Sequence, residues 1–404
     1  LSQYGYSYYP YLLDYVKRYF RLGPIIRREN LEAYFEPGIR PTSSVEDLVK
    51  QWVRAGIRRI HVSGWHEYAK YTYDYARLIR LAHANGILVY AWLEPPQVSQ
   101  IFWRNHPEWR EKNYKGEDTQ PQWRFSVALT DPACVDSMAL KFRKLLDTFD
   151  WDGVNLAELY FESGKGFETP LQFTPMHPSA VREVKKKFGI ELTSIFDPNS
   201  AWYWKTNPSV QTTLTEYRIG KLDEVYERLL RDFADVASRK PGFQIIVTAM
   251  DSHGSPEIRE NLGVDMNHIL ALQKRYGFLL QVEDAERLWS TDPLRYVEIG
   301  RRYARLISDS SKLMLDLNIL DLSSSTRKKG MLTPFPTTIQ TGTESFLLVH
   351  AAAIGAPRFT FYAEETINGQ DLPFFANALA HGISYRRNDN GYSIQAEHSF
   401  VLRL

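Results

Sequence analysis

The chain has one cysteine, Cys134, in 404 residues. A single thiol excludes an internal disulfide framework and a cysteine-built zinc site. Long apolar runs are missing as well. No stretch of about 18 uninterrupted apolar residues occurs, so no membrane-spanning helix is expected. Charge of either sign is not in excess: 49 Lys and Arg stand against 48 Asp and Glu, a formal net charge of +1. A broad nucleic-acid footprint needs a dense basic surface, so nucleic acid is not an expected partner. No glycine-rich phosphate loop follows any strand-like run, which argues against a doubly wound nucleotide-binding sheet. His-x-His spacing is absent, and His61 and His66 are separated by four residues in a strand-to-loop region. A metal-dependent hydrolase would need a tighter histidine cluster, so no metal and no other cofactor is expected. The Gly-x-Ser-x-Gly elbow of serine hydrolases is also lacking, since "HVSGWHE" has no first glycine. No secretion signal opens the sequence, which starts "LSQYGYSYY" rather than with Met and reads as a mature or excised fragment.

What is present is aromatic weight and a regular alternation. The 24 Tyr, 21 Phe and 10 Trp suit a cleft for flat apolar ligand faces such as sugar rings, and equally a large packed core. Short apolar runs alternate with amphipathic ones: "LEAYFEPG", then "SVEDLVKQWVRAG" capped by Ser43 or Ser44, then "IRRIHVSGW", "ILVYAWLEPP", "DGVNLAEL", "FQIIVTAM", "FLLQVED", "KLMLDLNIL" and "RFTFYAEE". Eight strands with helices between them predict a closed (β/α)8 barrel over 27–382. An irregular insert follows strand 4 at about 160–210, a helical extension precedes the barrel at 1–26, and a β-hairpin turning at Asn388–Gly391 extends it at 383–404.

In such a barrel the reactive groups lie at the C-terminal strand ends. Strand 1 ends with Glu32, Tyr34 and Glu36; strand 2 with His61, Ser63 and Trp65; strand 3 with Tyr90, Trp92 and Glu94. Strand 4 ends with Asn155 and Glu158, strand 5 with Asp251 and His253, strand 6 with Gln281 and Glu283, strand 7 with Asp316 and Asn318, strand 8 with Tyr362 and Glu364. Spacing of two keeps most of these on one face of their strand. One strand-end carboxylate is usually a cap or an ion-pair partner, and His61 alone reads as a core histidine. Eight polar strand ends interleaved with aromatics point instead to a carbohydrate site.

Glycosidic-bond cleavage needs a protonated acid for the leaving oxygen and an ionised carboxylate opposite it. "WDGVNLAELYFES" delivers acids where a buried strand ends, so Glu158 is expected to be partly desolvated and to serve as the acid. Glu283 is expected to be the base or nucleophile; Asp284 competes with it, and strand parity with Gln281 favours Glu283. Trp65, Trp92 and Tyr160 are expected to stack on sugars. His61, Glu94, Asn155, Asp251, His253, Gln281, Asp316, Asn318, Tyr362 and Glu364 are the remaining candidates for contacting substrate.

"LIRLAHANGILVYAWLEPP", "NHPEWR" and "FSVALTDPACVDSMALKFRKLLDTFDWDGVNLAELYF" together resemble a bacterial group of glycoside-hydrolase-like barrels, over about residues 75–162. That group includes the C-terminal hydrolase domain of poly-N-acetylglucosamine-processing biofilm proteins. The resemblance implies an exported hydrolase acting within an amino-sugar exopolysaccharide, with no protein partner specified. Asp152 and Gly153 match the group's Asp-Gly, and Glu158 takes the place of the second residue of its Asp-Asp pair, the proposed acid. Ala157 replaces the first Asp. That departure keeps open a carbohydrate-binding barrel that guides polymer without cleaving it.

Overall fold

The computed structural model describes residues 18, 31–38, 40, 42–64, 72–119, 124–284, 293–318, 342–364, 372, 384–389 and 391–395. Eight strands, β1 (Leu31–Phe35), β2 (Arg59–Ser63), β3 (Leu88–Leu93), β4 (Gly153–Leu156), β5 (Gln244–Met250), β6 (Leu279–Glu283), β7 (Leu313–Asn318) and β8 (Arg358–Tyr362), close in chain order into a parallel barrel. Most of their residues are buried, as expected where both faces of a parallel strand are covered. The expected (β/α)8 architecture is therefore present. Among the described residues no helix is long and apolar enough to cross a membrane.

The chain forms two compact units. The first comprises Leu1–Val62, Ala76–Tyr90 and Leu279–Leu404. Its helix α1 (Val45–Ala55) shows how the sequence dictates local structure. Ser44 caps the first turn, its hydroxyl accepting the Asp47 amide at 3.1 Å, and Gly56 closes the last turn at φ 77°. Leu48, Val49, Trp52 and Ala55 form the buried stripe. Helix α2 (Tyr75–Ala84) leads into β3. Helices α9 (Pro293–Ala304) and α10 (Gly342–Gly355) meet through glycines. A Cβ added to Gly300 would lie 2.1 Å from the Gly355 carbonyl oxygen. Strands β9 (Ser384–Asn388) and β10 (Gly391–Gln395) pair antiparallel, as the Asn388–Gly391 turn implies. The proposed extension at 1–26, apart from Arg18, lies outside the described residues.

The second unit comprises Ser63–Tyr75 and Ala91–Phe278. It holds α3 (Gln100–Asn105), α4 (Pro132–Thr148), α5 (Pro178–Phe188), α6 (Pro208–Arg239), α7 (Glu257–Leu262) and α8 (Met266–Tyr276). Asp131 caps α4, accepting the Ala133 and Cys134 amides, with Pro132 at the first helical position. The segment after β4, expected to be irregular, is ordered around its own core. Phe167, Phe173, Met176, Val184 and Ile195 pack against Val210, Leu214 and Tyr217 of α6. Apolar burial of that size explains how a long strand-to-helix connection keeps a fixed course.

Candidate functional site

In the second unit, β4 brings Asn155 into the interior, where its Oδ1 accepts the Thr248 hydroxyl at 2.9 Å. Past the strand end, the Ala157 amide donates to the Leu93 carbonyl at 2.7 Å. Glu94 and Glu158 are the next residues on those two segments. Glu158 has φ 52° and is the one non-glycine residue with positive φ among the described residues. A left-handed backbone costs a side-chain-bearing residue about 1–2 kcal/mol, and such outliers cluster at functional sites.

Arg124 meets this turn from the loop before α4. Its Nη2 donates to Glu158 Oε2, and its Nη1 donates to Tyr160 Oη at 2.8 Å and Glu162 Oε1 at 2.5 Å. The Tyr160 hydroxyl donates in turn to Glu158 Oε2 at 3.1 Å. The Glu158 side chain keeps 11% of its surface exposed. Burial holds its carboxyl above the usual range; Arg124 pulls it down, and the like charge of Glu94 pushes it up again. Glu158 and Glu162 thus share one guanidinium, and Glu94 adds like charge at Glu158.

Behind the turn, the fully buried Arg218 donates to Ser163 Oγ at 2.7 Å, Glu260 O at 2.6 Å, Asn261 O at 2.8 Å and Phe161 O at 3.4 Å. Burial lowers its guanidinium to about 9. The contacts staple the β4 loop to α7 and limit the positions open to Glu158 and Glu162. Glu111 is another buried organiser. Its Oε1 accepts the Lys112, Met176 and His177 amides at 2.8–2.9 Å, tying the loop after β3 to the segment after β4. Burial outweighs those bonds and pushes its carboxyl up to about 7.

In the first unit the inward layer is a closed polar cluster. Arg358 grips Glu32 with two hydrogen bonds, Nε to Oε1 at 2.6 Å and Nη2 to Oε2 at 2.9 Å. His61 Nε2 lies 3.0 Å from Glu32 Oε2 and 3.3 Å from Thr360 Oγ1, and Thr360 Oγ1 donates to Gln281 Oε1 at 3.4 Å. Burial raises the Glu32 carboxyl, but Arg358 and His61 outweigh it and hold it at about 2. Burial pulls His61 down. Nearer the strand ends, Tyr34 stacks on Tyr362 with centroids 4.6 Å apart. Glu283 pairs in register with Asp316 across β6 and β7. Asp284 is held by both Nε and Nη2 of Arg295, at 2.9 and 2.6 Å, so its carboxylate already has a dedicated cation. Asn318 is buried, and its Nδ2 has no hydrogen-bond partner. Glu364 is buried with Arg40 at 3.4 Å, and burial raises its carboxyl.

The sequence-derived candidates therefore separate. His61, Asn155, Gln281 and Glu364 are 0% exposed and Trp92 is 1% exposed, so they lie in the packed interior. Asp251 is buried and caps its own loop, accepting the His253 and Gly254 amides at 3.1 and 2.8 Å; His253 Nε2 lies 3.2 Å from Asn267 Oδ1. Glu94, Glu158 and Tyr160 converge, together with Glu162. Trp65 lies outside the described residues. Sequence reasoning missed Arg124, Arg218 and Glu111; apart from the Lys112 amide on Glu111, the partners described lie 34 or more residues away along the chain and leave no local pattern. Among the described residues no cluster of three or more His, Cys, Asp or Glu could hold a metal.

No protein-family model and no curated protein matches the sequence. Solved structures do match in fold. The PgaB (BpsB) glycoside hydrolase domain from Bordetella bronchiseptica superposes with a TM-score of 0.55 at 11% identity, over 87% of this chain and 99% of that one. The catalytic domain of a β-amylase from Paenibacillus polymyxa gives 0.55 at 12% identity, over 88% and 100%. A β-galactosidase from Bacillus circulans sp. alkalophilus gives 0.57 at 11% identity, over 88% of this chain and 56% of that one. The chain is thus a barrel similar in fold to glycoside hydrolases.

Proposed function

We propose that this protein is a glycoside hydrolase that cleaves within a bacterial exopolysaccharide, with a partly deacetylated amino-sugar polymer as substrate. The observation that carries the proposal is Glu158. It stands at the end of β4 in a left-handed turn, and burial and Glu94 favour its protonated form. A carboxyl in that state can donate a proton to a departing glycosidic oxygen. Glu283, at the end of β6, is proposed as the base or nucleophile. Tyr160, on the loop after β4, offers an aromatic edge for sugar, and the surplus of carboxylates around Arg124 suits cationic amino sugars. The likeness in fold to the PgaB (BpsB) glycoside hydrolase domain supports glycosidic-bond cleavage, while the amino-sugar polymer and an exported location rest on the sequence resemblance over about residues 75–162.

A second reading is a carbohydrate-binding barrel without turnover. Ala157 favours it, because one carboxylate of the resembled pair is missing, and so does the hold of Arg124 on Glu158. Incubation of the protein with a panel of partly deacetylated poly-N-acetylglucosamine, cellulose, chitosan and galactan separates the two. New reducing ends and internal-cleavage oligomers in the mass spectrum support hydrolysis. Retention on a polymer column with no product over a long incubation supports the binding role.

A further inference from the structure

Arg124 contacts three side chains of the β4 loop: Glu158 through Nη2, and Tyr160 and Glu162 through Nη1. A planar guanidinium can hold two carboxylates at fixed directions, which a lysine ammonium on a flexible stem cannot. Glu158 gains from such a hold, because its side chain leaves a left-handed backbone that a residue with a Cβ adopts only at a cost. We propose that Arg124 is a positioning residue for Glu158: anchored on Glu162 and Tyr160, its guanidinium fixes where the Glu158 carboxyl points and supplies the positive charge that this carboxyl faces.

The inference rests on the acid role proposed for Glu158. Among the described residues, the charged and titratable groups facing that carboxyl are Arg124 from the loop before α4, Glu94 from the end of β3, and Tyr160 and Glu162 from its own loop. Arg124 is the cation among them. Its removal leaves Glu158 facing like charge, so the carboxyl holds its proton to higher pH. Removal of the Glu162 charge does the opposite. The two substitutions break the same contact network yet are expected to move the titration in opposite directions, which a purely structural role would not do.

The test is a carboxyl-carbon NMR titration of glutamate-labelled protein, with the Glu158 signal assigned from its loss in Glu158→Gln. Arg124→Met is expected to raise the Glu158 midpoint by about 1–3 pH units, Arg124→Lys by less, and Glu162→Gln to lower it. An unchanged or lowered midpoint in Arg124→Met overturns the proposal. Should Arg124→Met fail to fold, as judged by circular dichroism, Glu162→Gln decides the matter: a downward shift supports the proposal and no shift overturns it. On a glycan that the wild type cleaves, the kcat/KM limb for loss of the acid is expected to follow the same signs. If no glycan is cleaved, the hydrolase proposal fails, while the NMR titration still decides what Arg124 does to Glu158.

Discussion

The Ala157 amide donates to the Leu93 carbonyl at 2.7 Å, and this one backbone bond aligns the ends of β3 and β4. From there Glu94 and Glu158 continue as neighbours, and the chain turns left-handed at Glu158 to bring its carboxyl to Arg124. Register thus builds the acidic cluster, and the backbone carries the strain.

That strain has a signature in stability. At an ordinary loop position glycine is less favourable than alanine, because its unfolded chain has more freedom. At φ 52° the order inverts. Glu158→Gly is expected to be more stable than Glu158→Ala by about 1 kcal/mol in urea unfolding, both lacking the carboxylate. An alanine variant of equal or greater stability would show that the turn is relaxed.

The buried Glu32–Arg358 pair makes stability depend on acid. The Glu32 carboxyl is held at about 2 against an ordinary 4.5, so its contribution is complete above about pH 4.5 and is lost as pH falls toward 2. Arg358→Met leaves the carboxylate buried without its main cation and is expected to cost about 3–5 kcal/mol at pH 7. Adding Glu32→Gln to Arg358→Met should recover a large part of that loss. Chemical denaturation of the wild type and the two variants reads both effects.

Glu111 has the opposite sign. Burial raises its carboxyl to about 7, so its folded form holds a proton that the unfolded chain has released. The stability it contributes is complete below about pH 4.5 and falls as pH rises through 7, by about 3 kcal/mol in all. Glu111→Gln is expected to flatten the stability profile of the wild type between pH 4.5 and 7. An unaltered slope would place the titration elsewhere.

The contact of α9 with α10 allows no side chain at Gly300. A methyl there meets the Gly355 carbonyl at 2.1 Å, and backbone cannot yield as a flexible side chain can. Gly300→Ala is expected to destabilise the fold by about 2–3 kcal/mol or more, despite the better helix propensity of alanine. Thermal unfolding measures it.

The barrel was legible because strand burial and helix caps are local. The β4 run, the Ser44 cap and the Asn388–Gly391 turn each follow from a few adjacent residues. The carboxylates that follow β4 were legible for the same reason: a buried run followed at once by Glu158 and Glu162. What was not legible depends on three-dimensional partners. His61 and Glu364 follow the strand-end pattern as Glu94 does, yet Glu32 and Arg40 meet them inside the fold. Arg124 carries no motif, and its meaning comes from a contact 34 residues along the chain. The ordered core after β4 was likewise hidden, since its apolar residues are spread through loops, 3-10 turns and two helices without one period.

The most direct test of the account is the rate of reducing-end release from partly deacetylated poly-N-acetylglucosamine by wild type and Glu158→Gln at equal folded concentration. Glutamine keeps the shape and removes the transferable proton, so kcat is expected to fall by about 100-fold or more while polymer binding persists. Turnover by Glu158→Gln at the wild-type rate would contradict the assignment of Glu158 as the acid.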